Sequence, residues 1–158
     1  LFAGICTRHK RNRRDNKMEN AILRNEETQR WLFPVGAYTL IRRFSSKEEK
    51  RRIMASIMLP DSFEGYKMVG FENHLNVFHR RKKGLPIRLA WGLFAYLNCS
   101  AVDAHFRRFN GHTQVNVADL KSLRYPSVEA MTSLGKWAES AKTLEQNNID
   151  RRMEHLLA

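Results

Sequence analysis

The chain has 158 residues, 42% of them hydrophobic, which is enough for one domain with a real core and tight for two. A formal charge of +12 calls for an anionic partner such as nucleic acid or an acidic membrane surface. Only Cys6 and Cys99 are present and without paired spacing, which argues against a disulfide scaffold or a cysteine zinc site and for a reducing, cytoplasmic location.

Residues 8–17 are basic and poor in apolar side chains, so residues 1–19 read as a basic arm or linker. Over 26–33 a short helix is expected, with Glu26 and Glu27 where the dipole favours acids and Pro34 as its stop. Alternation from Gly36 to Phe44 predicts a strand, and 53–59, 68–71 and 75–78 extend the β-rich reading into an irregular sheet. Pro86 suits the first position of a helix over 87–98 that is apolar nearly all round and therefore buried. Its apolar run, 89–97, is only about half a bilayer span, so no membrane role is expected. A second helix over 100–109 is expected with Ser100 as N-cap, Asp103 in its first turn, and Val102, Phe106 and Phe109 on one face. A polar loop at 110–116 follows, then a short helix over 118–123 closed by Tyr125-Pro126. After Ser127 the pattern is helical, with Leu134, Trp137, Ala141, Leu144, Ile149, Met153 and Leu156 at roughly heptad spacing. The expected fold is α/β of the α+β kind: a mixed, irregular sheet with packed helices over 20–127, and a C-terminal helical arm over 128–158.

The excess charge is concentrated early. Residues 1–83 hold 19 Lys and Arg against 9 Asp and Glu, and residues 84–158 hold 9 against 7. It clusters at 8–14, at Arg42 and Arg43, over 47–52 with Lys47 and Arg51, and at Arg80, Arg81, Lys82 and Lys83. Such clusters neutralise phosphates and release counterions, which gives affinity without sequence reading. Polar side chains able to meet base edges fall in two places: Asn73, His74, Asn76 and His79 around the 75–78 strand, and Arg107, Arg108, Asn110, His112, Thr113, Gln114 and Asn116 behind the buried helix. Asn and Gln pair bidentately with adenine and Arg with guanine. Turn chemistry alone also favours Asn and Gly at 110–111, so both readings stay open here.

No metal is expected, because His74 with His79, or Cys6 with His9, make incomplete ligand sets. Asp61, Glu64 and Lys67 imitate a nuclease site loosely, and a small basic metal-dependent DNA endonuclease is the alternative function. A base-methylating site needs a Gly-rich cofactor loop and an Asn/Asp-Pro-Pro-aromatic motif. The prolines, Pro34, Pro60, Pro86 and Pro126, are all isolated, so no catalytic residue and no bound cofactor are expected in this chain.

These residues carry a resemblance. Asn25-Glu26-Glu27-Thr28, the run from Tyr38 to Arg52, and Phe71 to His79 are similar to the C-terminal region of type II restriction–modification adenine-N6 methyltransferases. The likeness continues through Leu93 to Ser100 and is most specific from Phe106 to Pro126, covering roughly residues 20–127 in all. The layout also resembles the target-recognition domains of type I specificity subunits. The resemblance implies a mixed α/β module over 20–127 that recognises a specific sequence in double-stranded DNA, with a following helix that packs against a partner or neighbouring domain. It implies S-adenosylmethionine as cofactor of the parent enzyme and a methyltransferase catalytic domain as partner, either upstream of Leu1 or in trans. A first residue of Leu rather than Met is what a piece of a longer polypeptide would show.

Overall fold

The computed structural model describes residues 2–6, 21–63, 65–141 and 144–157, and of residues 2–6, 21–23 and 157 the backbone alone. The basic cluster at 8–14, His9 and Glu64 therefore lie outside the described residues. In chain order the elements are β1 (Phe2–Cys6), β2 (Ala21–Leu23), β3 (Leu32–Pro34), β4 (Tyr38–Arg42), β5 (Ala55–Met58), β6 (Met68–Phe71), β7 (Leu75–Phe78), α1 (Ile87–Leu97), α2 (Ser100–Phe109), α3 (Val117–Ser122), α4 (Val128–Ser140) and α5 (Gln146–Leu157). Strands come first and helices last, which is the α+β arrangement.

The strands make two sheets, ordered β2-β1-β6-β3 and β5-β4-β7. In the first, β1 and β6 run parallel while the outer pairs are antiparallel. In the second, β4 is central and antiparallel to both neighbours, with Thr39 opposite Ile57 on one side and Phe78 on the other. Tyr38, Thr39, Leu40 and Ile41 are all buried, because β4 separates two cores. On one face Tyr38 and Leu40 join Met58, Val69, Phe33 and Phe71 between the sheets. On the other, Ile41 joins the helices, and the Thr39 hydroxyl donates to the Ala90 carbonyl at 2.8 Å.

The apolar sequence of α1 is explained by what surrounds it. Gly92 and Gly135 let the backbones of α1 and α4 touch: a Cβ on Gly92 would overlap the Met131 carbonyl, and one on Gly135 the Arg88 carbonyl. The helical segment expected over 128–158 is present as two helices. Met131, Leu134 and Ala138 of α4, with Ile149 and Met153 of α5, belong to the same hydrophobic cluster as Leu93, Leu97 and Phe106.

Four local expectations need correction. Over 26–33 there is no α-helix: a turn and a 3₁₀ segment, Gln29–Trp31, lead into β3. The Asn25 side chain accepts from the backbones of Glu27 and Thr28, and the Thr28 hydroxyl from that of Asn25, so local bonds replace helical ones. Pro34 pushes Phe33 toward extended backbone, where it pairs with Val69 of β6. Pro86 and Ser100 each stand one residue from the expected place, with Pro86 preceding α1 and Cys99 taking the N-cap position of α2. Finally, Val102 and Phe106 are buried but Phe109 is 44% exposed, as α2 runs out past the core.

Candidate nucleic-acid interface

Past Arg42 the chain bends at Arg43, and residues 43–45 become the support of the polar loop. Val115 donates from its backbone to the Arg43 carbonyl at 2.7 Å, and Ser45 to the Thr113 carbonyl at 2.9 Å. On the other side Arg43 donates to the His74 carbonyl at 2.8 Å. The loop 110–116, the edge 43–45 and the β6–β7 turn thus form one surface. Phe44 is 42% exposed there, with the His74 ring 5.5 Å from its own and the Arg43 guanidinium 6.0 Å from its centroid. Asn73, His74, His112 and Thr113 are exposed on this surface, and Gln114 is half-buried beside Phe44. Lys47, Arg107, Arg108, Phe109 and Gly111 line an adjoining cleft of about 320 Å³.

Beneath the loop lies a polar cluster. Arg52 is 1% exposed, with its Nε donating to the Ser45 hydroxyl, its Nη2 to Asn110 Oδ1 at 3.0 Å and to the His112 carbonyl. The face of Phe106 covers its guanidinium at 5.7 Å. Asn110 uses its amide nitrogen on the Gln114 carbonyl and the Asp119 carboxylate, and Asp119 also accepts from the Asn116 backbone at the start of α3. Asp103 accepts from the backbones of Arg52 and Ile53, and from Arg107 at 2.9 Å. Both ends of the loop are fixed by charge-assisted bonds in a low-dielectric setting.

The candidate residues therefore divide. Arg42 is ion-paired with Glu49, Arg51 donates to Gln146 and to the Cys99 carbonyl, and Arg107 reaches the Lys47 and Glu49 carbonyls. Asn76 is buried and donates to the Val115 carbonyl at 2.7 Å. These four and Asn110 have side chains engaged within the protein. Lys47, Asn73, His74, His79, Arg80, Arg81, Lys82, Lys83, Arg108, His112 and Thr113 are exposed. The structure does not bring all of the exposed group together. The basic hairpin 80–83 lies beyond the far end of β7 from His74, and the four residues of β7 lie between His74 and His79, so that five chain steps separate the two by roughly 17 Å.

Sequence reasoning passed over Phe44 and the 53% exposed Trp31, and counted Arg52 only within the basic cluster 47–52. For Arg52 the available signal was its place between a basic run and the fully buried Ile53. His74 and His79, at opposite ends of β7, cannot share a metal. Among the described residues there is no group of three His, Cys, Asp or Glu able to hold one, and nothing supports the endonuclease alternative. No described helix is long and apolar enough to cross a membrane.

Comparison with known proteins places these features in a class: the chain is homologous to a segment of type II methyltransferases. It is 51% identical over 142 residues, 89% of its length, to the type II methyltransferase M.BsuBI of Bacillus subtilis. With the type II methyltransferase M.PstI of Providencia stuartii the identity is 46% over 134 residues, 85% of the chain. The matched parts are 28% and 26% of those enzymes, so the chain spans about a quarter of the length of these curated relatives. No family model matches it, and no solved structure matches it significantly.

Proposed function

We propose that this chain is the DNA-contacting, target-recognising part of an adenine-N6 DNA methyltransferase of a restriction–modification system. In this reading it serves a catalytic domain that lies outside residues 1–158 and binds S-adenosylmethionine. One observation carries it: a chain homologous to type II methyltransferases presents an exposed, cationic, amide- and imidazole-bearing surface on a loop braced at both ends. Polar loop residues, His112, Thr113 and Gln114, with Asn73 and His74 beside them, would meet base edges. Lys47, Arg108 and the cations of 80–83 would meet phosphates, which position a protein without reading sequence. Arg43, His79 and Asn116 border these surfaces, while Arg42, Arg51, Asn76, Arg107 and Asn110 would act by holding the loop and its neighbours in place. A braced loop loses little conformational freedom on binding, so it suits geometric discrimination between bases.

The test is an exchange. Residues 20–127 replace the matching segment of a type II adenine methyltransferase with a different target, and methylated adenines are mapped by single-molecule sequencing. The methylated motif should follow the transplanted residues. A motif that stays with the recipient enzyme overturns the proposal.

A further inference from the structure

The hairpin at the far end of β7 is built against its own sequence. Arg80 and Lys83 exchange both backbone hydrogen bonds, each at 2.9 Å, which closes a two-residue turn. Its central residues, Arg81 at φ 49° and Lys82 at φ 60°, both lie in the left-handed region. A turn of this hand favours Asn-Gly, because side chains longer than Asn are strained at positive φ. Two long cationic side chains sit there instead. Arg80, Arg81, Lys82 and Lys83 are all exposed, so apolar packing does not explain them.

What surrounds the turn adds charge and holds it in place. The Lys82 ammonium donates to the Arg30 carbonyl and lies 5.8 Å from the Phe33 ring, and its backbone N–H donates to His79 Nδ1 at 3.0 Å. Arg30 in turn lies 5.3 Å over the exposed Trp31 ring. Among the described residues none of these five cations is in an ion pair. Strained backbone and like-charge repulsion both disfavour the free arrangement, and a polyanion relieves the second.

We infer that Arg30 and the 80–83 hairpin form a second DNA contact, a preformed clamp for backbone phosphates that is independent of sequence and separate from the loop 110–116. It rests on the reading above, which takes DNA as the polyanion and these cations as phosphate contacts, and adds Arg30, the strained turn and the independence from the loop. The roughly 17 Å between His74 and His79 matches the ~12 Å major groove with the backbones that border it, so one duplex can reach both contacts. The strain follows from the role: a turn with Asn-Gly at its tip would be easier to form but would present no charge there.

The experiment measures binding of a short random-sequence duplex by fluorescence anisotropy across a salt series, together with melting temperature. In Arg81→Asn, which relieves one strained position and spares the Lys82 anchor, the melting temperature should rise, while affinity falls about threefold and the salt slope flattens by roughly one counterion. Arg80→Ala with Lys83→Ala, which leaves the strained pair untouched, should flatten the slope by roughly two counterions without raising the melting temperature. Affinity and slope unchanged in both variants overturn the clamp, and an Arg81→Asn variant that melts lower overturns the strain. Wild-type protein that binds no duplex at all overturns the recognition role as well, whereas wild-type binding with indifferent hairpin variants overturns the clamp alone.

Discussion

The loop 110–116 and the hairpin 80–83 are both polar, exposed at their tips and joined to the same three-stranded sheet, yet they are held by opposite means. The loop is braced from below by Arg52, Asn110 and Asp119, whose bonds reach backbone groups that would otherwise be stranded in the interior. The hairpin has no such foundation; apart from Lys82 and its anchors on Arg30 and His79, it depends on its own two backbone bonds. Rigidity bought with buried polar groups suits a surface that must discriminate shapes, and local charge suits one that need only attract.

The largest way to break that contrast is to remove the brace. Arg52→Met keeps an unbranched apolar stem but ends short of the guanidinium, so the Ser45 hydroxyl and the His112 carbonyl lose their Arg52 donor and Asn110 Oδ1 keeps only the His112 N–H. Stranded buried acceptors cost about 1–3 kcal/mol each before relaxation, so a loss on the order of 3 kcal/mol is expected in denaturant unfolding. Hydrogen exchange should accelerate at Val115 and Ser45, whose amides pair the loop to the edge, and stay unchanged at Arg80 and Lys83. Equal acceleration in both regions would show that the two are not held independently.

Much of the frame is legible from periodicity, since β4, β6, β7, α1 and α3 fall where alternation and apolar spacing put them. The division of the polar residues was not. Asn76 is buried because the Val115 carbonyl, 39 residues away, needs a donor, and Asn110 because Gln114 and Asp119 do; His112 stays outside although it is two residues from Asn110. Nothing in residue type separates these cases. What separates them is which backbone groups the fold leaves unpaired, and that depends on pairings distant in sequence. The same holds for Arg51 and Arg52, adjacent in a basic run, one reaching Cys99 and Gln146 and the other the loop. The failed helix at 26–33 has the opposite cause, because there the local bonds of Asn25 and Thr28 were readable but were outweighed by acidic residues in an apparent first turn.

A smaller effect should come from the far end of α2, the helix that delivers the chain to the loop. Asp150 of α5 accepts from both the backbone N–H and the hydroxyl of Ser100, each at 2.7 Å, and so caps α2 from another element. Partial burial acts to raise the Asp150 pKa, but the hydrogen bonds from Ser100 and Gln146 outweigh it and hold the carboxyl below its ordinary value. A depressed folded pKa means that the stabilisation is present above the unfolded value and is lost as pH falls through the folded one. Asp150→Asn should therefore cost about 1 kcal/mol at neutral pH, and its melting curve should converge on that of the wild type in acid below the ordinary carboxylate range. A gap that persists unchanged in acid would assign the effect to packing rather than to the charged cap.

The smallest effect on stability is expected at the loop tip, where the contrast between brace and surface becomes sharpest. The polar contacts of His112 in the fold are made by its backbone: its carbonyl accepts from Arg52 and its N–H donates to Asn110 Oδ1, while the imidazole is exposed. His112→Ala keeps both backbone bonds and should change unfolding free energy by no more than about 0.5 kcal/mol. If the imidazole meets a base edge, the same change weakens binding to the cognate duplex by about 1–3 kcal/mol and leaves random-sequence affinity nearly as it was. Gln114→Ala gives the partner measurement, because its half-buried side chain beside Phe44 has a larger share in the fold and its carbonyl, which Asn110 uses, is untouched. Both quantities are measured in the full-length methyltransferase, as denaturant unfolding and as the ratio of specific to random affinity. A stability loss with an unaltered ratio at both positions would make the loop a brace for its neighbours, and the base-edge role would then have to move to Asn73 and His74 across the Phe44 edge.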